Sequence, residues 1–371
     1  MLPVTKDSLQ IFANAEAGGK GFNLYLLSNQ GCRVPAWFAL GPTFFQAFKN
    51  ENKINDEINN LIELCKQDFK RASSAIERLI ITKPLSAEIR QVVLENYKRL
   101  NLSTVAVRSS ALDEDSAAHS FAGQLSSFLY IKEPQERRAT CVPQDTAEAG
   151  CGGKNEEELF LAIKRCWASA YSERCLFYRH QNHLPLTNIQ VAVVIQQMIA
   201  AEKAGVLFTG DPTTQDGSTI VINSVYGVGE GLVSGQLDAD AFFIDKMTSR
   251  IKSQNIVEKC QMVVCDLDLG GLKSMSVPAD KMAIPSLSPA ELQMLVRVAN
   301  DIENFYHHPQ DVEWCFEKGQ LYLLQSRPIT TPIPNFKGHL FVWDNSNIVE
   351  SYGGLTLPLT FDFARYVYHQ V

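Results

Sequence analysis

Asp311 and Glu313 stand two positions apart, as do Gln325 and Arg327, on either side of Lys318-Gly319. Residues two apart on a strand share a face, so each pair points one way. Carboxylate and amide oxygens beside a guanidinium suit Mg²⁺ and a polyphosphate, because Mg²⁺ takes few protein oxygens and completes its shell with phosphate oxygens. An ion pair on an edge strand fits the same residue types. The turn decides whether the pairs meet. A two-residue Lys318-Gly319 loop would pair Glu313 with Leu324 and send the acids and Gln325 to opposite faces. A three-residue loop of Glu317, Lys318 and Gly319 would pair Glu313 with Leu323 and gather all four polar residues. Lysine resists the positive φ of a type I′ turn, so the three-residue register is predicted, with Trp314, Phe316, Tyr322 and Leu324 toward the core.

Three further segments have the residue types for phosphate chemistry. In Gly18-Gly19-Lys20-Gly21 the backbone can approach a phosphate closely while the lysine supplies a point charge, though a lysine in a surface turn fits as well. The spacing is not that of a Walker-type loop. The strand Val105-Ala106-Val107 delivers Arg108 to its end, where a guanidinium can grip phosphate bidentately or pair with the acidic run Asp113, Glu114 and Asp115. Downstream, Phe121 to Gln124 with Ser126 and Ser127 form a small-residue loop able to fold over a ligand. Gly227-Val228-Gly229-Glu230-Gly231 tempts a dinucleotide reading, but Leu232 stands where the third spaced glycine belongs, so a bent loop is expected.

The elements that must position these residues are mixed. Apolar residues from Phe44 to Leu100 recur at helical spacing and give two amphipathic helices separated by Pro84. Glu156, Glu157 and Glu158 open another helix running to Tyr171, and Ser288, Pro289 and Glu291 announce a capped helix carrying Leu292, Leu295, Val296, Ala299 and Ile302. Strands are expected at 105–107, 191–198, 205–208, 219–223, 242–245 and 321–325. Glu136 to Asn155 has no periodicity and reads as a surface loop, and the prolines 328, 332 and 334 read as a linker. The fold class is therefore α+β, with helices and strands mixed.

Composition narrows the function. The 371 residues allow two or three domains, and 34 basic against 41 acidic residues leave no positive field for nucleic acid. No apolar run approaches a membrane span, and the first ten residues lack a secretory pattern. Nine cysteines, with no Cys-x-x-Cys pair, favour neither a disulfide framework nor a zinc site, and a reducing cytoplasm is expected.

Taken in order, the stretches GGKGFNLYLL, VAVRSSALDEDS with SFAGQ, IQQMI with AGVLFTGDP, NSVYGVGEGLVSG and DVEWCFEKGQLYLLQSRPIT resemble the nucleotide-binding domain of the phosphoenolpyruvate synthase and pyruvate phosphate dikinase family, closest in style to its rifampicin phosphotransferase-like branch. They run from about Asn14 to Thr330. The resemblance implies a two-lobed ATP-grasp fold, with lobes at 1–200 and 201–332 and the start of a truncated following domain at 333–371. It implies ATP and Mg²⁺ as ligands. Lys20 and Arg108 would contact the ATP phosphates, Gly123 and Ser126 would lie in the covering loop, and Gln197 would be near the adenine. Glu313 and Gln325 would bind Mg²⁺, and Arg327 the transferring phosphates, with Arg108 and Arg327 the catalytic pair.

Members of the family pass the β-phosphoryl of ATP to a histidine on a separate domain, releasing AMP and phosphate, before transfer to pyruvate or another small acceptor. That histidine lies in a Gly-Gly-x-x-Ser-His motif, which none of the seven histidines here has, and the pyruvate-binding barrel is also lacking. The expectation is thus a phosphotransferase module that reads as an N-terminal fragment and completes its reaction only with a histidine domain from elsewhere in the protein or another chain. A non-catalytic regulatory or relict nucleotide-binding module is the alternative.

Overall fold

A computed structural model describes residues 4–5, 14–64, 68–111, 115–116, 119–120, 126–132, 154–266 and 271–329. The backbone gathers into two compact units, Met1–Ile333 and Pro334–Val371. The second unit, Gly123 and most of the expected 136–155 loop lie outside the described residues. The expected 328–334 linker does too, apart from Pro328 and Ile329.

The first lobe opens with β1 (Val4–Thr5), α1 (Asn14–Asn29) and β2 (Trp37–Leu40). The 44–100 region holds more breaks than periodicity foretold. Before Pro84 it forms three helices, α2 (Pro42–Glu51), α3 (Asn55–Leu64) and α4 (Phe69–Thr82), and after it α5 (Ala87–Arg99). Lys53, at φ +54°, ends the first of these, and Asp68 caps α4 by accepting from the Arg71 N–H at 3.0 Å. Apolar spacing survives such breaks, so it overestimates helix length. The lobe continues through β3 (Thr104–Ala111), the short β4 (Asp115–Ser116) and β5 (His119–Ser120), β6 (Ser127–Lys132), α6 (Lys154–Ser169), α7 (Glu173–Gln181) and β7 (Val191–Gln197).

Five of these strands make an antiparallel sheet in the order β1-β2-β7-β3-β6. One face, with Phe38, Val105, Val107, Val193 and Ile195, is buried under α2 to α7 against Phe44, Phe45, Ile76, Ile80 and Trp167. The other face carries Trp37, Ala39 and Val194, which pack on Ala17 and Leu24 of α1.

The second lobe is built on β8 (Lys203–Phe208), β9 (Thr219–Tyr226), the single turn α8 (Glu230–Val233), β10 (Asp240–Asp245), β11 (Ile251–Asn255), the hairpin β12 (Gln261–Cys265) and β13 (Leu272–Ser276), α9 (Pro289–Tyr306), β14 (Gln310–Glu317) and β15 (Gln320–Pro328). Six of these strands form a second antiparallel sheet, β11-β10-β9-β8-β14-β15. The capping box of α9 is present as expected, with Ser288 and Glu291 exchanging side-chain-to-backbone bonds. Its apolar stripe buries Leu292, Leu295, Ala299 and Ile302 on Ile220, Ile222, Phe242, Val312, Trp314 and Phe316. The fold is thus α+β with two lobes, as expected. None of the described helices is long and apolar enough to cross a membrane.

Helix α1 joins the lobes, since Leu27 enters the second core while Leu24 stays in the first. The Gly18–Gly21 stretch, read as backbone able to approach a phosphate or as a surface turn, lies within α1 and breaks it at Gly18, where φ is +65° and ψ 175°. That region is open only to glycine. A Cβ there would also stand 2.3 Å from the Ser110 carbonyl oxygen. Gly18→Ala is expected to lower unfolding free energy by about 2–3 kcal/mol, read as a depressed thermal midpoint.

Candidate functional site

The Gly18 break lets α1 press on the end of β3. Ser110 Oγ accepts from the Lys20 backbone N–H at 3.1 Å and donates to the Ala17 carbonyl at 3.0 Å, which fixes where Lys20 leaves the helix. On β3, Arg108 pairs with Val194 and Ala106 with Gln196, so Arg108, Ala106, Ser110 and Gln196 share the face away from the helical core. Ser126 is tied beside them, its carbonyl accepting from the Ser109 N–H at 3.1 Å and the Ser109 hydroxyl at 2.8 Å.

From the second lobe the β14–β15 hairpin meets this face, though not in the predicted register. The turn is the two-residue Lys318-Gly319, with both residues at positive φ (+51° and +72°) and Glu317 paired with Gln320. Lysine accepts the left-handed conformation here. Glu313 pairs with Gln325 rather than Leu323, while Trp314 pairs with Leu323, so Leu324 is an extra residue in β15. This bulge shifts the register by one and returns Gln325 to the face of Glu313. The predicted loop and pairing are thus corrected, yet the four polar residues still gather on one face. The predicted core face changes as well: Leu323 packs with Trp314 and Phe316, whereas Tyr322 and Leu324 pack on Ile199, Ala204 and Cys315.

Arg108 bridges the lobes. Its Nη2 donates to Glu313 Oε2 at 3.0 Å and to Gln325 Oε1 at 2.7 Å. Arg327 places Nε and Nη2 on Asp311 Oδ2 at 2.7 and 2.6 Å. Burial pushes the Glu313 carboxyl up, but the charges of Arg108, Arg327 and Lys20 outweigh it and bring its pKa below the ordinary 4.5. Lys20, Arg108 and Arg327 therefore all act on one carboxylate. A depressed acid adds stability that is complete above its ordinary pKa and is lost as pH falls through the folded-state value, so this contribution disappears only on acidification below 4.5. Asp311 moves the other way, raised by burial and by Glu313 against the pull of Arg327.

The oxygens suit a small hard cation. Glu313 Oε2 and Gln325 Oε1 converge on one guanidinium nitrogen, and Asp311 Oδ1 is buried with no hydrogen-bond partner. Two or three protein oxygens of this kind fit Mg²⁺ bound jointly with phosphate. Among the described residues no three His, Cys, Asp or Glu side chains cluster as a self-sufficient metal site.

Residues 14–339 match a family model described as the AMP/ATP-binding domain of pyruvate phosphate dikinase. The chain belongs to that family. It is 34% identical over 325 residues to a probable phosphoenolpyruvate synthase of Methanocaldococcus jannaschii, covering 85% of this chain and 25% of that protein. It is 30% identical over 340 residues to a rifampicin phosphotransferase of Bacillus cereus, covering 88% of this chain and 36% of that protein. The chain thus spans a quarter to little more than a third of the length of these two relatives. A D-alanine-D-alanine ligase of Helicobacter pylori superposes with TM-score 0.34 at 11% identity over 86% of this chain and 54% of that one, a likeness too slight to build on.

Within this chain the structure brings together Lys20, Arg108, Glu313, Gln325 and Arg327, with Ser126 alongside. Gln197 lies elsewhere: it pairs with Val105 and shares the opposite face of β7 with Val193 and Ile195. Its neighbour Gln196 is on the Arg108 face, buried, with Nε2 donating to the Leu324 carbonyl at 3.2 Å. Its face follows from the register of β7 on β3, which leaves no mark in the sequence. Gly227, at φ +76°, is bent as expected, with Val263 O standing 2.1 Å from where a Cβ would be.

Proposed function

We propose that this chain is the ATP- and Mg²⁺-binding module of a dikinase-type phosphotransferase with an ATP-grasp architecture. The single observation that carries the reading is the Arg108 guanidinium bridging Glu313 and Gln325 between the two lobes. When nucleotide enters, Lys20, Arg108 and Arg327 neutralise the triphosphate, and Glu313 with Gln325 would bind the metal, Asp311 aiming Arg327. Bound Mg²⁺ supplies charge neutralisation at the phosphoryl oxygens. The Ser126 segment stands next to these groups on the first lobe, and Gln197 is carried as the adenine contact by resemblance alone.

The chemistry is transfer of the β-phosphoryl from ATP to a histidine nitrogen on a separate domain. The bond to the α-phosphate breaks and AMP leaves, while water releases the γ-phosphate as inorganic phosphate. The phosphohistidine then serves pyruvate or another small acceptor. Such transfer needs positioning and electrostatics rather than a covalent step on this chain. Its setting is the cytoplasm.

Calorimetry tests the reading. Mg·ATP should bind the chain, and Arg327→Ala should weaken it at least about tenfold through loss of a charged bidentate contact. Failure of the folded chain to bind Mg·ATP removes the proposal. Binding without AMP formation when a histidine domain is supplied would leave a module that does not turn over.

A further inference from the structure

Ser326 stands between Gln325 and Arg327 but faces the other side of the sheet. It pairs with Val312, which enters the second core, so the serine points toward α9 while its two neighbours face the clamp. There it is 1% exposed, and its hydroxyl donates to Gln310 Oε1 at 2.8 Å. Gln310 is 0% exposed and ties together the elements that meet at this corner. Its Nε2 donates to His308 Nδ1 at 2.7 Å and to the Pro309 carbonyl at 3.2 Å, in the turn that leaves α9. Its backbone N–H donates to the Thr209 hydroxyl at 2.9 Å and its carbonyl accepts from the Thr209 N–H at 2.9 Å, just past the end of β8.

The sheet itself gives the clamp little support here. Among the described strands β15 is at the edge, so Arg327 has a neighbouring strand on one side alone. The next residue, Pro328, pairs with Gln310 and has no N–H to give to the ladder. Arg327 must nevertheless present Nε and Nη2 together to Asp311 Oδ2, at 2.7 and 2.6 Å. A buried neutral pair such as Ser326 and Gln310 adds little stability over two apolar side chains of the same shape. What it adds is direction. Gln310 precedes Asp311 and Ser326 precedes Arg327, so the bond fixes β14 to β15 one residue away from each member of the charged pair.

We propose that Gln310 and Ser326 are positioning residues of this site: from the reverse face of the hairpin their bond holds Arg327 on Asp311 and so aims it at the transferring phosphates. This rests on the nucleotide reading above and deepens it. Both residues face away from the clamp and act through Arg327.

The test is a cycle in Mg·ATP affinity, measured by calorimetry, between Gln310→Leu/Ser326→Ala and Arg327→Ala, with the ligand-free thermal midpoint of each variant. Removing both partners strands no polar group between them, so Gln310→Leu/Ser326→Ala should melt near the parent. It should still bind Mg·ATP about fivefold more weakly, because a misdirected guanidinium keeps its charge but loses bidentate geometry. Added to Arg327→Ala, the same two changes should cost nothing further. Ser326→Ala alone closes the cycle if the paired variant does not fold. Parental Mg·ATP affinity in a folded variant without the bond overturns the proposal, since the bond then serves the fold alone. So does a loss of the same size on top of Arg327→Ala, which would place the effect elsewhere in the site. If the parent binds no Mg·ATP, the nucleotide reading falls and this one with it.

Discussion

Arg108→Ala is expected to lower unfolding free energy by about 2–3 kcal/mol and, in the same variant, to move two affinities in opposite directions. The stability loss arises because Glu313 stays in place after its nearest cation is removed, with its side chain 24% exposed. Lys20 and Arg327 still act on it, so the loss falls short of that for a fully isolated charge. The affinities diverge because Arg108 Nη2 sits where two candidate metal oxygens converge, Glu313 Oε2 at 3.0 Å and Gln325 Oε1 at 2.7 Å. With the guanidinium gone, Mg²⁺ alone meets free oxygens and should bind more tightly. Mg·ATP loses a phosphate contact and should bind at least about tenfold more weakly. Arg108→Lys should not restore it, since an ammonium lacks the planar fork that grips a phosphate through two parallel N–H donors. Calorimetric titration with Mg²⁺ and with Mg·ATP measures both; a parallel change in the two affinities would show that Arg108 does not stand between metal and phosphate.

How much of this was readable beforehand follows from the range of each interaction. The start of α9 was legible because Ser288, Pro289 and Glu291 satisfy the helix end within four residues. The grouping of Asp311, Glu313, Gln325 and Arg327 was legible through alternation, but its route was not. Lys318 takes a left-handed φ because the flanking strands twist to suit a two-residue turn, and Leu324 bulges to repair the register. Neither leaves a local mark. The Arg108 to Glu313 contact spans 205 positions, beyond any spacing argument, and only the family resemblance linked the two segments. Helix breaks at Lys53 and Asp68 were hidden because neighbouring helices of one bundle share an apolar stripe.

The largest loss of stability is expected from Lys259→Met, at about 3–5 kcal/mol. Asp240 and Lys259 form an ion pair deep in the second lobe, 0% and 3% exposed, with Asp240 Oδ1 at 2.7 Å from Lys259 Nζ. The carboxylate also accepts from the Val257 N–H at 3.1 Å and the Ser286 N–H at 2.7 Å, and Lys259 Nζ donates to the Val257 carbonyl at 2.8 Å. Methionine fills the space of the lysine stem but leaves the Asp240 carboxyl buried and short of its cation. The pair also ties three segments together: β10 through Asp240, the approach to β12 through Val257 and Lys259, and the loop before α9 through Ser286. Four residues past Lys259, Val263 accepts from the Val228 N–H at 2.8 Å, so release of Lys259 loosens the bent Gly227 loop as well. Adding Asp240→Asn to Lys259→Met should recover part of the loss, because an amide tolerates burial without a cation and still accepts from one backbone N–H. Urea unfolding of the single and double variants closes the cycle. A double variant no more stable than Lys259→Met alone would mean that the methionine, not the stranded carboxylate, disrupts the lobe.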